Sequence, residues 1–140
     1  MKFNAIHNLR TRICHIDLNE ATEAALKARG NDISELNRDQ LREGKTANGL
    51  TLPPYSANSV SKFGKQPGPI KLLDTGAFYE GIKPEFAKTD FTMNGKDQKT
   101  DMLQDRYGDD IVGLSKDSIE ELAQDSLGQI QFEIRKRLGI

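Results

Sequence analysis

Apolar residues recur at helical spacing toward both ends of the chain, and the middle breaks that rhythm. Phe3, Ile6, Leu9, Ile13 and Ile16 return at every third or fourth position, which predicts an amphipathic first helix with Lys2, Arg10 and Arg12 among its polar residues. A new start signal follows at 17–20, with Asn19 as the expected N-cap and Glu20 and Glu23 favouring the positive end of a helix. Ala21, Ala24, Ala25, Leu26 and Ala28 then make a small-residue helix suited to close packing. Gly30-Asn31-Asp32 predicts a break. Asp32 and Glu35 have capping-box spacing, and Gly44 is placed to close the next helix as its C′ residue. Leu26, Ile33 and Leu36/Asn37 keep phase across Gly30, so one long kinked helix is the alternative to two.

From Lys45 the pattern changes. Asn48-Gly49 signals a tight turn, and Leu50-Thr51-Leu52 reads as a short edge strand. From Pro53 to Gly68 the residues are largely Pro, Ser, Asn, Gly and Lys, the composition of a long loop or of an arm that orders on a neighbour. The densest apolar stretch comes next, from Pro67 to Pro84. Ile70, Leu72 and Leu73 form a short buried run, and Asp74-Thr75-Gly76 turns the chain, with the Asp74 carboxylate expected to cap backbone at a value of about 1 kcal/mol. Phe78, Tyr79, Ile82 and Phe86 then carry most of the aromatic mass of a chain without Trp.

Gly81–Ala87 and Asp90–Asn94 are expected to be antiparallel strands, with a turn at 94–97. Met102, Leu103, Arg106 and Tyr107 suit a short helix ended by Gly108, with the Tyr107 ring buried and its hydroxyl on a partner. Ser115 caps a last helix that runs to Leu138 and stops at Gly139, its acids early and its bases late. Ile119, Leu122, Ala123, Ile130, Ile134 and Leu138 are its expected core stripe, Leu127 lies at the margin, and Phe132 sits off it, facing a loop or another subunit. The sum is a single α+β domain. A helical region spans 1–44, a long extended arm 45–69, a small twisted antiparallel sheet 70–114 and a C-terminal helix 115–139.

Composition narrows the function. With 36% hydrophobic and 29% charged residues, the core is small and an oligomer would bury what one chain leaves exposed. A net charge of −1 offers no general field for nucleic acid, so DNA contact would need a local patch, with Lys62 and Lys65 the candidates. The one cysteine, Cys14, excludes an internal disulfide and fits a reducing compartment. No signal peptide and no membrane span is predicted. His7, Cys14 and His15 lack the spacing of a zinc site, and no P-loop or Rossmann glycine pattern is present, so neither metal nor cofactor is expected.

Two resemblances centre on Asp74. Leu72-Leu73-Asp74-Thr75-Gly76-Ala77 resembles the active-site signature of retroviral-type aspartic proteases, and Ile111-Val112-Gly113 mimics their later apolar-apolar-glycine element. That resemblance implies a homodimer in which two copies of Asp74 share a proton. The order of motifs from Leu41 to Leu114 resembles instead the phage virion-morphogenesis and tail-completion proteins of the head–tail connector. A helix ends at Gly44, and Asn48 to Tyr55 supply the turn and the Pro segment. Lys62 and Lys65 lie in the loop, Leu73-Asp74-Thr75-Gly76 is the central motif with Phe78 and Tyr79 after it, and Tyr107-Gly108 with Gly113 closes the pattern. This second resemblance implies a structural, non-enzymatic subunit of a closed ring in the neck, meeting portal or adaptor and tail proteins. It implies a place in the virion after assembly in the host cytoplasm. Leu50, Leu52, Pro53, Pro54, Tyr55, Lys62, Phe63, Lys65 and Phe132 are then the expected subunit contacts. A soluble regulator that forms no ring is a third class.

Overall fold

The computed structural model describes residues 8, 11–88 and 90–140. Most of the expected first helix, with Phe3, Ile6, His7 and Leu9, lies outside them. Residues 11–14 are helical, and the Arg12 guanidinium donates to the Leu138 carbonyl at 2.9 Å.

Two helices follow, not one kinked one: α1 (Leu18–Ala28) and α2 (Gly30–Arg42). The N-cap of α1 is Asp17 and not Asn19, because the Asp17 carboxylate accepts the N–H groups of both Asn19 and Glu20. The break falls on Arg29 (φ −102°, ψ 15°), ahead of the glycine. Gly30 to Asp32 therefore open α2 and no capping box forms; Asp32 pairs with Arg29 at 3.2 Å instead. Gly44 (φ 72°) ends α2 as expected, with its N–H on the Leu41 carbonyl and that of Lys45 on Gln40, the Schellman pattern.

The 45–69 segment is more ordered than its composition predicts. The turn at Asn48-Gly49 forms, but Leu50-Thr51-Leu52 contributes only a single bridge, Lys45 to Thr51. A short helix, α3 (Ala57–Phe63), is capped by the Ser56 hydroxyl on the Ser59 N–H and stopped by Gly64 at φ 62°. Both ends of the excursion are pinned together: Tyr55 N–H reaches the Gly68 carbonyl at 3.0 Å, and Ile70 N–H reaches Pro53 at 2.9 Å.

Next come α4 (Ala77–Gly81) and the hairpin of β1 (Ile82–Ala87) and β2 (Asp90–Gly95), paired from Ile82↔Gly95 to Ala87↔Asp90. Among the described residues the sheet is confined to this hairpin, narrower than the expected 70–114 region. Ile70–Leu73 is no strand, since Leu72 takes a left-handed backbone (φ 54°). Asn94 and Gly95 continue β2, so the turn starts later, at Asp97. The remaining elements are α5 (Thr100–Tyr107), ended by Gly108 (φ 100°), a 3-10 turn at Asp109–Ile111, and α6 (Lys116–Leu138), capped by Ser115 and stopped by Gly139.

The architecture is α+β with a long C-terminal helix. α1 packs on α6, where the fully buried Ala21 and Ala25 let the helices approach, and α2 packs on β1. Leu41, Leu52, Phe78, Tyr79, Ile82 and Ile111 form the core, with Ile70, Leu72, Met93, Leu103, Tyr107 and Val112 around it. α6 is rotated from its expected setting. Ser118, Leu122, Ser126, Glu133 and Leu138 are buried, while Ile119, Ala123 and Leu127 face outward. The cause sits on α2: Gln40 Oε1 accepts the Ser118 hydroxyl at 2.8 Å and the Ser115 N–H at 2.7 Å. That clasp turns Ser118 inward and the next residue out.

Candidate functional site

The Leu72–Ala77 corner is held from several sides. Leu72 at φ 54° stores strain on the order of 1 kcal/mol, which neighbouring contacts must offset. Lys71 just before it is gripped by two tyrosines: its N–H donates to the Tyr55 hydroxyl at 3.2 Å, and its carbonyl accepts the Tyr79 hydroxyl at 2.5 Å. Tyr79 is itself fixed to α2, where Arg38 Nε donates to its carbonyl at 2.8 Å and the Arg42 guanidinium lies 5.7 Å from its ring centre. Burial pushes its hydroxyl pKa up to about 12. After the corner, Gly76 (φ 88°) starts α4 and Phe78 turns inward, edge-on to Tyr79.

The Asp74 side chain does not cap the backbone, which corrects the expectation above. Its carboxylate is exposed and pairs with the Lys99 ammonium at 3.2 Å. Thr75 Oγ1 takes the Ala77 N–H instead, at 3.4 Å. The main-chain N–H of Lys99 goes to Asp97 Oδ2 at 3.0 Å, so the two carboxylates near the corner are both tied to Lys99 through different groups.

These residues enclose an apolar cleft of about 280 Å³. Ile70, Leu72, Phe78 and Leu103 supply its less exposed lining, and Met102, Asp74 and Lys99 its exposed lining. Lys65 joins them, its ammonium on the Leu73 carbonyl at 3.2 Å and 5.9 Å from the Tyr55 ring centre. Charges at the cleft balance, two lysines against Asp74 and Asp97. Such a site favours an uncharged, apolar guest.

Comparison with known protein families, curated proteins and solved structures finds no match. The structure brings Leu73, Asp74, Thr75, Gly76 and Phe78 together with Tyr55 and Lys65, two groups of residues that the sequence separates. Tyr79 lies behind the cleft in the core. Pro53, Pro54 and Lys62 are exposed, as are Leu50, Phe63 and Phe132, the last three with 65%, 72% and 58% of their surface open. Leu52, expected at a subunit contact, is instead buried at 4% in the chain's own core and has no surface to offer a neighbour. Tyr107 packs at the edge of the core with the Arg106 guanidinium 5.4 Å from its ring centre.

Gly108 and Gly113 lie apart from the cleft. Gly113 is part of a second feature that the sequence hid. Asn37, fully buried on α2, donates to the Ile111 carbonyl at 3.1 Å and accepts the Gly113 N–H at 2.9 Å, while Gln40 donates to the Gly113 carbonyl at 2.9 Å. The available signal was polar residues in phase with Ile33 and Leu41. Among the described residues no group of His, Cys, Asp and Glu could hold a metal, and no helix is long and apolar enough to cross a membrane.

Proposed function

We propose that the chain is a structural subunit of the connector at a phage head–tail junction, assembled as a closed ring that meets portal or adaptor and tail proteins. One observation carries this: the Leu73–Phe78 corner and the arm residues Tyr55 and Lys65 close around an apolar cleft in which Asp74 is already paired with Lys99. A ring needs a heterologous contact, with a projecting group on one face of each subunit and a receiving surface on another. The cleft is the receiving surface, and the open side chains of Leu50, Phe63 and Phe132 are the projecting groups. Asp74, in ion pair with Lys99, acts in shape and not in bond-breaking.

Quantitative mass spectrometry of purified particles of the source phage tests the reading. The chain is expected at a small fixed copy number per particle. Met102→Glu, at an exposed position in the cleft, is expected to leave the subunit folded and keep it out of particles. Absence of the wild-type chain from intact particles overturns the proposal. Acid-optimal peptide hydrolysis that Asp74→Asn abolishes would put a dimeric aspartic protease in its place.

A further inference from the structure

Among the described residues the β1–β2 hairpin stands as a two-stranded sheet with no third strand. Just past its open end, Lys96 N–H donates to the Gly81 carbonyl at 2.9 Å, so that cross-strand pair is hydrogen-bonded. Bonded and non-bonded pairs alternate along antiparallel strands. Given the register, Lys83↔Asn94 and Glu85↔Thr92 are bonded pairs, whereas Pro84↔Met93 and Phe86↔Phe91 are not. Pro84, which has no N–H to give, falls where none is needed. The main-chain N–H and C=O of Phe91 and Met93 therefore point away from β1. Among the described residues, no backbone hydrogen bond from outside the hairpin reaches them.

A groove of about 480 Å³ lies beside this strand, with Val112, Leu114, Ile119 and Leu122 among its lining. Ile119, turned outward on α6, lines it at 53% exposure. At Gly95 one face of the strand is covered, since the Thr100 side chain fills the space where a Cβ would stand. The free edge is thus short and flanked by apolar surface.

We propose that β2 and this groove take one extended segment of a partner protein, which adds as a third strand with apolar residues at every second position. The outward N–H and C=O groups form a row of alternating partial charge at strand spacing, and an extended main chain carries the complementary row. A helix satisfies its main-chain groups internally and has none to offer. The second strand face supplies the selectivity, since alternate side chains fall against Leu114, Ile119 and Leu122. The inference rests on the hairpin and this groove and stands apart from the connector reading.

A random dodecapeptide display library is the probe, read with amide hydrogen exchange by NMR. In the free protein, Thr92 and Asn94 amides are expected to be protected and those of Phe91 and Met93 to exchange fast. Selected peptides are expected to carry apolar residues at alternate positions and, once bound, to protect Phe91 and Met93. Met93→Pro sets a proline opposite Pro84, removes an outward donor and spares β1 pairing, so affinity should fall about tenfold or more. Ile119→Asp, at an exposed site, provides the same loss if the proline variant does not fold. The proposal is overturned by amides of Phe91 and Met93 already protected in the monomer, by a library that yields no binder, or by binders indifferent to both variants. Apolar spacing of three and four residues, or a dimer that M93P dissolves, would likewise overturn it, in favour of a helix or a second copy.

Discussion

Asn37 shows how much one buried amide can organise. It has no exposed surface, and its two polar atoms serve main-chain groups on either side of Val112. Asn37→Ala strands a buried carbonyl, worth about 1–3 kcal/mol, and a part-buried N–H worth less, so urea unfolding should show a loss of about 3 kcal/mol. At the central corner the expected ranking is reversed from what the aspartate suggests. Asp74→Ala removes an exposed ion pair and should change stability by less than about 0.5 kcal/mol. Gly76→Ala forces a side chain into φ 88° and should cost about 1–2 kcal/mol in the same assay. The glycine's role was legible because positive φ is a local demand. The carboxylate's was not, because its partner Lys99 arrives from beyond the hairpin. Asn37 was hidden for a similar reason: a polar residue in an apolar phase shows that something is bonded, never what.

Element boundaries were legible where a cap marks them. Ser115 and Gly139 frame α6, and Gly44 ends α2, by bonds made within a turn of the residue itself. Ser115→Ala should cost about 1 kcal/mol by thermal or urea unfolding, since the Ser118 N–H loses its acceptor. The hydrophobic stripe of α6 was a poorer guide than its caps. Gln40, far off in the chain, fixes the helix's rotation and outvotes Ile119 and Leu127. α3 escaped notice although Ser56 and Gly64 frame it, because its residues, Ala57 to Phe63, have the composition of a loop and none of them is buried.

On the scale of the whole molecule, Tyr79 is the most constrained member of the main core cluster, joined to α2 by Arg38 and to the Lys71 main chain by its hydroxyl. Burial holds that hydroxyl protonated, with a pKa pushed from 10.0 up to about 12. The unfolded chain loses the proton near its ordinary pKa and the folded chain keeps it to about 12, so this contribution is intact below pH 10 and is lost between the two values. Stability should fall there by at most about 1.4 kcal/mol per pH unit, and the difference between wild type and Tyr79→Phe, measured by urea unfolding across that window, isolates it. Fold class and hairpin followed from periodicity along the chain. The cleft did not, because Tyr55 and Lys65 reach the Leu73–Phe78 corner only once the main chain closes on itself between Pro53 and Ile70. That closure makes the excursion a bud on a stalk. Its length and sequence can be swapped while the stalk keeps the body shut, so the mouth of the cleft can be re-dressed for a new guest without renegotiating the stability of the rest.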